Sequence, residues 1–545
     1  MLAAIKFTTM WLPNVSYLIK RVAVPIDHLY DHSEQILKRL MPAEMNASDR
    51  PRCFPRTRTQ VLSSIAEWAS HPSTEHRVFW LHGVAGSGKS TISTTIAHHF
   101  RELGQLGSFV FFNRDVEERS EPQNVIRTLA YQLGTFDTQI GASIVKAMEN
   151  IPSIAQSPLR FQFTKLLIEP LSLLSAENAR DANKSLLLVL DALDECGSPQ
   201  ERTSLLAILA EESVRLPPFI HILVTSRTES DIGSAFNAHP HILAQVLDLS
   251  SESDLVLYFS SRMSTIRTRN SNLPLSSDWP GERVILDLVQ RASGLFVWAF
   301  IACRYIEDGH DPRERLDVLL HAETEESDAA LDALYITALK SAGKWRDPIF
   351  RSDFKIILGA ILVARNPLSD DAIDKLFCLD RPSRHTITCL GCVLHWREHE
   401  SVRVLHPSFA EFLMTWLRCR NDAWFIDTAL HNRRLALQCL LRLDVVLKRN
   451  ICDLLLSRAV VDATLPEDIS YACTFWIDHV CAISTDVESI ATILDQFLFV
   501  HLLHWIEAMS ILHISRSMIA LMPRILDWVR VRRSHFAVRR FLCLL

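Results

Sequence analysis

Eight consecutive residues place glycines, a lysine and a serine at the spacing of a phosphate-binding loop. The stretch 83–90 reads GVAGSGKS and fills the pattern G-x-x-x-x-G-K-[ST] at every position. Glycines let such a loop curl until successive backbone N–H groups point inward at a chain of phosphates. Lys89 supplies a cation for the β- and γ-phosphates, and the Ser90 hydroxyl can ligate Mg²⁺. The candidate phosphate-binding residues are Gly83, Val84, Ala85, Gly86, Ser87, Gly88, Lys89, Ser90 and Thr91.

The segments on either side of this loop are those that the chemistry needs. The apolar run 78–81 predicts a strand that leads into the loop, and residues 91–97 predict a helix that leaves it. The N-terminus of that helix adds its dipole and free N–H donors to an anion site. A chance glycine-rich turn would not require strand, loop and helix in this order.

Acidic residues follow a second apolar run about one hundred residues later. Residues 186–190 are uninterrupted leucine and valine, which is typical of a strand covered on both faces. Asp191 ends the run and is our candidate for holding Mg²⁺ through water, opposite Ser90. Asp194 and Glu195 are both candidates to orient or deprotonate an attacking water, with Glu195 preferred. A buried strand followed by a capped helix start is the alternative explanation.

A third apolar run, HILVTSR at 221–227, also ends in polar residues. Ligands of open α/β sheets bind beyond the carboxyl ends of the strands. We therefore expect Thr225, Ser226 and Arg227 to lie where a γ-phosphate is sensed. A surface ion pair is the alternative for Arg227.

Composition limits the remaining possibilities. The 545 residues are too many for one core, and a net charge of −6 gives no overall attraction to nucleic acid or anionic lipid. Only 15 glycines and 23 prolines argue against an all-β chain. Twelve cysteines, mostly within apolar helical patterns, predict buried thiols in a reducing compartment. No uncharged apolar run reaches the roughly 18 residues of a membrane-spanning helix, so we expect a cytoplasmic protein.

The rest of the sequence predicts further strands and helices, and it contains one cysteine pair that resembles a zinc site. Strands are expected at 108–112 and 242–247, and helices dominate from residue 251 onward. Helix, turn, helix, strand and closing helix between 354 and 416 suit a winged-helix module, and no basic recognition face for DNA is visible. Cys389 and Cys392, with His395 and His399 nearby, lack a second ligand pair at zinc spacing, which favours structural thiols. A basic, partly apolar tail (524–540) is interpreted as a solvated helix face rather than a lipid contact.

Taken together, these motifs resemble the NACHT-type STAND NTPases, in particular the NOD-like receptors of mushroom-forming fungi with a nephrocystin-3-like NACHT domain. The resemblance covers about residues 51–520. The segments that carry it, in chain order, are GVAGSGKST at 83–91, LLLVLDALDEC at 186–196, LVTSR at 223–227, ASGLFVWA at 292–299 and LHPSFAEFL at 405–413.

The resemblance implies a resting state with ADP bound and a self-associating state with ATP and Mg²⁺ bound. It also implies that His406, which begins a winged-helix helix, contacts the β-phosphate of ADP. Two positions depart from the family pattern. Phe296 replaces a proline that lies near adenine, and Arg56 stands where the family has a flexible glycine. No repeat sensor follows the helical region, and no recognisable effector domain precedes it.

The expected fold is an α/β P-loop NTPase core, with a parallel sheet and helices on both faces, followed by helical domains. The expected segments are an N-terminal extension (1–50), a lead-in loop and helix (51–75), a nucleotide-binding domain (76–250), a helical lid (251–345), a winged helix (346–418) and a helical C-terminal region (419–545).

The expected function is an ATP/ADP switch with slow Mg²⁺-dependent hydrolysis, with unknown protein partners and no nucleic acid. A nucleotide-holding scaffold that does not cycle and a constitutive ATPase are the alternatives.

Overall fold

The computed structural model of the chain divides into two compact units, the first ending at Ala338 and the second beginning at Leu339. It describes residues 32–48, 50–70, 75–114, 116–177, 185–321, 327–343, 345–398, 400–449, 451, 465–484, 487–514 and 518–532. The N-terminal extension up to residue 31, His399 and the basic tail beyond Arg532 lie outside these residues.

A five-stranded parallel sheet organises the first unit. Its strand order is β2-β3-β4-β1-β5, so β4 lies between β1 and β3. The strands are β1 Val78–His82, β2 Leu106–Phe111, β3 Leu186–Asp191, β4 Ile220–Ser226 and β5 Ile242–Val246. All five were predicted from apolar runs, and the predicted parallel α/β core is confirmed.

Alternate residues of each strand supply two separate cores, one on each face of the sheet. Val78 and Trp80 of β1 pack into the larger core, whereas Phe79 and Leu81 pack into the other. This alternation follows from the two-residue period of a strand. Because both of their faces are covered, β1 to β4 show no polar alternation, whereas the edge strand β5 is partly exposed. The helices of this unit are α1 His32–Lys38, α2 Thr59–Ser70, α3 Lys89–Glu102, α4 Glu117–Ser120, α5 Pro122–Phe136, α6 Thr138–Asn150, α7 Leu159–Phe163, α8 Glu169–Glu177, α9 Pro199–Glu211 and α10 Ser230–Phe236.

Helices alone follow β5 in the first unit, as the sequence predicts. They are α11 Glu252–Arg269, α12 Glu282–Ala292, α13 Phe296–Glu307, α14 Pro312–Leu320 and the start of α15 Ser327–Ala342. Trp298 of α13 is fully buried and donates its indole N–H to the carbonyl of Ala330 at 3.2 Å. That contact fixes α15 against α13.

The second unit begins with three helices and a short antiparallel ribbon. Its elements are α16 Pro348–Val363, α17 Asp370–Phe377, α18 Arg384–Thr388, β6 Leu394–His395, β7 Arg403–Val404, α19 Pro407–Met414, α20 Trp416–Cys419, α21 Thr428–Val446, α22 Glu467–Cys481, α23 Glu488–Ile511 and α24 Met518–Val531. The helices, strand and closing helix predicted between 354 and 416 are present, whereas the helix Arg384–Thr388 and the strand Leu394–His395 were not predicted. The spacing of Phe409, Phe412, Leu413 and Trp416 predicts one shared helix face, and this prediction is wrong at its last position. Trp416 does not share the buried face of Phe409, because α19 ends at Met414 and Trp416 is 46% exposed.

The long helix α23 is the one described helix that is long and apolar enough to cross a membrane, on length and composition alone. Its span Ile490–Ile511 is 39% buried within the protein. Trp505 of this helix is fully buried and donates to the carbonyl of Cys473 at 2.8 Å. Core helices of globular proteins share these properties, so α23 does not argue for a membrane protein. Cys303, Cys439 and Cys473 are buried thiols, as predicted.

A buried histidine makes the second unit sensitive to acid. His479 donates from Nδ1 to the Asn432 side chain at 2.9 Å and accepts the Tyr471 hydroxyl at Nε2 at 2.7 Å. The bond accepted at Nε2 requires the neutral ring, and burial lowers the pKa of His479 to about 3. Below pH about 6.5 His479 therefore binds a proton in the unfolded chain but stays neutral in the folded chain.

We expect the stability of the wild-type protein to fall as the pH drops from 7 to 5, with His479 contributing about 1.4 kcal/mol per pH unit below 6.5. Urea unfolding followed by tryptophan fluorescence measures this slope. His479→Gln should flatten it, whereas His513→Gln, at an exposed position, should not. Equal slopes in all three proteins would contradict the assignment.

Candidate functional site

The loop after β1 adopts the conformation that its glycines permit. Gly86 and Gly88 have φ values of 76° and 97°, in the left-handed region that residues with a Cβ avoid. Helix α3 begins directly at Lys89, with Gly88 as its N-cap. The backbone N–H groups of the first helical turn therefore adjoin the loop, as an anion site requires.

Lys89 lies at the centre of the predicted site residues. Its ammonium donates to the carbonyls of Gly83 and Val84, each at 2.8 Å. Burial lowers the pKa of Lys89 to about 8. The charges of Asp194, Asp191 and Glu195 oppose this shift, while Arg227 adds to it. All four side chains predicted to act with Lys89 thus lie within its electrostatic reach.

Asp191 is completely buried at the end of β3, and both of its oxygens are engaged. Oδ1 accepts the hydroxyl of Thr225 at 2.6 Å, and Oδ2 is paired with the guanidinium of Arg50. The same Thr225 oxygen accepts the N–H of Ala192 at 2.9 Å, which holds Ala192 at a φ of 62°. This positive φ costs about 1 kcal/mol, and it turns the chain sharply beyond the carboxylate.

Asp194 and Glu195 lie on the single 3₁₀ turn Leu193–Glu195, but in different environments. Asp194 accepts the backbone N–H of Arg227 at 2.9 Å and the Nε of the same residue at 3.2 Å, and its side chain is 4% exposed. Glu195 is partly exposed and accepts the N–H of Arg114 at 3.4 Å. Asp194 therefore holds Arg227 in place, and Glu195 is the carboxylate more accessible to solvent.

The residues available for Mg²⁺ offer oxygen alone. Ser90 is exposed at the start of α3, and Asp191 closes the neighbouring end of the sheet. Magnesium takes hydroxyl, carboxylate, phosphate and water oxygens, with one or two carboxylates at most. The donor set fits that ion when phosphates supply the other ligands. Within the described ranges, no group of three or more His, Cys, Asp or Glu side chains could hold a metal, the Cys389–Cys392 region included.

Two comparisons with known proteins agree with this geometry. The profile of the family described as "Nephrocystin 3, N-terminal" matches residues 57–227. The vegetative incompatibility protein HET-E-1 of Podospora anserina is 23% identical over 494 residues. That alignment covers 83% of this chain and 34% of the relative, so the chain spans about a third of its length.

Residues 57–227 form a P-loop NTPase domain of the nephrocystin-3 N-terminal, NACHT-like type. The family match begins just before α2 and ends at Arg227, and so it contains the phosphate loop, Asp191 and Asp194. We call residues 57–227 the NACHT domain.

Solved structures include more distant neighbours. A STAND protein with a tetratricopeptide repeat sensor from Pyrococcus horikoshii aligns at a TM-score of 0.42 and 13% identity, over 90% of this chain and 60% of that one. A Walker-type ATPase of Pyrococcus abyssi aligns at a TM-score of 0.35 and 13% identity, over 67% of this chain and 99% of its own.

Arg58, which sequence reasoning missed, ties the phosphate loop of the NACHT domain to the chain beyond it. Its guanidinium donates to the carbonyl of Ser87 in the loop at 2.7 Å. It also donates to the Ser250 hydroxyl at 2.7 Å and the Asp248 carbonyl at 2.9 Å. Its backbone N–H binds the Asp254 carboxylate of α11 at 3.0 Å. The sequence feature that could have pointed to Arg58 is the presence of four arginines between residues 50 and 58.

The start of α13 also touches the loop. The N–H of Val297 donates to the carbonyl of Gly86 at 3.4 Å, and Gly294 accepts the N–H of Ser250 at 2.9 Å. A Cβ on Gly294 would lie 2.6 Å from the Cβ of Leu249, so this crossing requires glycine. The segment ASGLFVWA thus carries contacts between the loop and the helices that follow β5. Phe296, the departure from the family proline, packs edge-on against Tyr258 with 5.6 Å between ring centres.

His406 lies in the second unit, at the N-cap of α19. Its Nδ1 accepts the backbone N–H of Ser408 at 3.2 Å. In the neutral ring the proton is therefore on Nε2, which is the form that can donate to an anion.

The loop before α2 contains a matched pair of arginines with opposite expected effects. Arg56 and Arg58 both have positive φ values, 64° and 56°. The exposed side chain of Arg56 has no polar contact with the described part of the chain, whereas Arg58 makes the contacts given above. The positive φ of Arg56 fits the glycine that the resemblance implies at this position.

We expect Arg56→Gly to leave stability unchanged or raise it by up to about 1 kcal/mol, because glycine adopts a positive φ at no steric cost. Arg58→Gly should lower stability by about 2 kcal/mol or more, through the loss of charged hydrogen bonds. Thermal unfolding of the two variants at one pH measures the difference. Similar losses in both would show that Arg58 does not clamp the loop.

Proposed function

We propose that this chain is a nucleotide-dependent signalling switch. ADP holds a closed resting state, ATP with Mg²⁺ holds an open self-associating state, and slow hydrolysis resets the protein. The observation that carries the proposal is the convergence of three carboxylates and Arg227 on the buried Lys89, next to a loop built for phosphates. The match of residues 57–227 to a NACHT-like family supports it.

Each polar residue around the phosphate loop has a separate role in this proposal. Ser90 and, through water, Asp191 would hold Mg²⁺, which neutralises phosphate charge when it is bound. Lys89 pairs with the β- and γ-phosphates once they replace the carbonyls of Gly83 and Val84. Ser87 lends its backbone carbonyl to Arg58, so the loop is already in position before a ligand arrives.

Asp194 and Glu195, the two carboxylates after Asp191, have different roles in hydrolysis. Asp194 binds Arg227 by two contacts and is nearly buried, which suits it to position that cation. Glu195 is the group that reaches solvent and so orients the attacking water. A γ-phosphate competes with Asp194 for Arg227, and this competition gives the site a means of distinguishing ATP from ADP.

His406 is proposed as the contact that distinguishes the diphosphate state. Its neutral ring, with the proton on Nε2, is suited to donate to the β-phosphate of ADP. Residues 251–345 then act as a lid, 346–418 as a winged helix and 419–545 as a helical region that follows them. Reversing the populations of two states from 1:99 to 99:1 requires about 5.5 kcal/mol of differential binding.

Lys89 gives the nucleotide affinity a defined pH dependence. Its pKa of about 8 in the ligand-free site must rise when phosphates bind, because they stabilise the ammonium form. We expect ADP affinity to be flat below pH about 7 and to fall by up to tenfold per unit above 8. Titration with a fluorescent ADP between these limits measures it. Lys89→Ala should abolish binding, and a wild-type affinity that stays constant to high pH would contradict this assignment.

The switch itself predicts a change of mass with nucleotide. Light scattering of the protein with ADP, and then with a non-hydrolysable ATP analogue, should show self-association in the second case alone. His406→Ala should weaken ADP retention while sparing ATP. A mass that never changes with nucleotide would leave the non-cycling scaffold as the better description. Equal losses of ADP and ATP affinity would remove the role given to His406.

A further inference from the structure

The counter-ion of Asp191 comes from outside the NACHT domain. The Arg50 guanidinium pairs with a carboxylate that is completely buried, while its own side chain is 21% exposed. It lies over the ring of Phe111, 4.4 Å from the ring centre. Arg50 is therefore fixed by packing as well as by charge.

Arg50 also reaches the element that carries the other proposed metal ligand. Its Nε donates to the hydroxyl of Thr94 at 3.4 Å. That hydroxyl donates in turn to the carbonyl of Ser90 at 2.7 Å, one turn earlier in α3. A single cation thus contacts Asp191 directly and lies one side chain away from Ser90.

We propose that Arg50 is a built-in competitor of Mg²⁺ for the negative charge of Asp191. This inference rests on the proposed function, in which Asp191 helps to hold Mg²⁺. While Arg50 occupies the carboxylate, the chain binds ADP with little help from Mg²⁺. When Arg50 leaves, the carboxylate becomes a full ligand site. Arg50 is in this sense a positioning residue that sets the metal dependence of the nucleotide site.

Electrostatics gives the direction of the effect. A guanidinium on Asp191 neutralises the charge that would attract a divalent cation, and it repels that cation across a few ångströms of protein. Thr225 occupies the other oxygen of the same carboxylate. Removing the positive charge of Arg50 therefore strengthens Mg²⁺ binding.

A cavity next to Arg50 could hold its guanidinium after it leaves Asp191. The cavity has a volume of about 200 Å³ and is lined by residues of α3, by Phe109 of β2 and by the segment that carries Arg50. Arg52 and Arg101 also line this cavity, and Arg52 reaches the ring of His98 at 3.1 Å. In this proposal the guanidinium of Arg50 moves into that space when it leaves Asp191.

The experiment compares ADP affinity in EDTA with ADP affinity in excess Mg²⁺, using a fluorescent ADP and the full chain. The ratio of the two affinities is the Mg²⁺ coupling ratio. We expect it to be close to one in the wild type and to rise on the order of tenfold in Arg50→Gln. Arg50→Lys keeps the charge and should resemble the wild type. Arg52→Gln is the matched control, because it removes a neighbouring arginine that does not touch Asp191.

A double variant separates competition from a purely structural role. In Arg50→Gln/Asp191→Asn both charges are removed together, so no buried charge is left without a partner, and the tenfold rise should vanish. If Arg50→Gln does not fold, the wild type still decides, because competition requires its coupling ratio to be close to one and a ratio of tenfold or more would overturn the inference. A coupling ratio that is unchanged or lower in Arg50→Gln would overturn the inference, as would a rise that survives in the Asp191→Asn background. ADP binding in EDTA reports the proposed function separately. Its absence in every protein would refute that function and this inference together.

Discussion

A negative charge buried at the end of a parallel strand must be compensated, and the nucleotide site is built around one such charge. Asp191 has no exposed surface, and leaving it unpaired would cost several kcal/mol. Thr225 from the adjacent strand and Arg50 from the upstream segment share the task. This pairing joins three parts of the chain that are remote in sequence. The polar groups of the site are consequently held in place by contacts within the chain.

A second arginine from the same upstream segment links the phosphate loop to the helices that come after the sheet. Arg58 binds the carbonyl of Ser87 and the residues between β5 and α11 with one guanidinium. Burial lowers the pKa of Arg58, and the charge of Asp254 offsets part of that effect. A movement of α11 away from the sheet would break these bonds. They are the contacts through which the loop and the helices after β5 are mechanically coupled.

The sheet and the phosphate loop were predictable because each depends on local sequence. Uninterrupted apolar runs marked the five strands, and the polar residues after them marked the functional edge. The roles of Arg50 and Arg58 were not predictable, because they depend on which distant carboxylate or carbonyl each side chain meets. The error at Trp416 has another cause: helical spacing continued in the sequence after the backbone had left the helix at Thr415. The choice between Asp194 and Glu195 needed the position of Arg227, which no spacing reveals.

The strand order has a consequence for the small residues at the tip of β4. The phosphate loop leaves β1 and Asp191 ends β3, and β4 separates these two strands. At about 4.8 Å per strand spacing, the two halves of the site lie on strands nearly 10 Å apart, with the end of β4 as the floor between them. Thr225 and Ser226 form that floor, and both are buried. Their hydroxyls tie β4 to both neighbouring strands, because Thr225 donates to Asp191 of β3 at 2.6 Å and Ser226 accepts the indole N–H of Trp80 of β1 at 2.8 Å. A leucine or phenylalanine at either position would break one of these ties and leave a buried polar group without its partner.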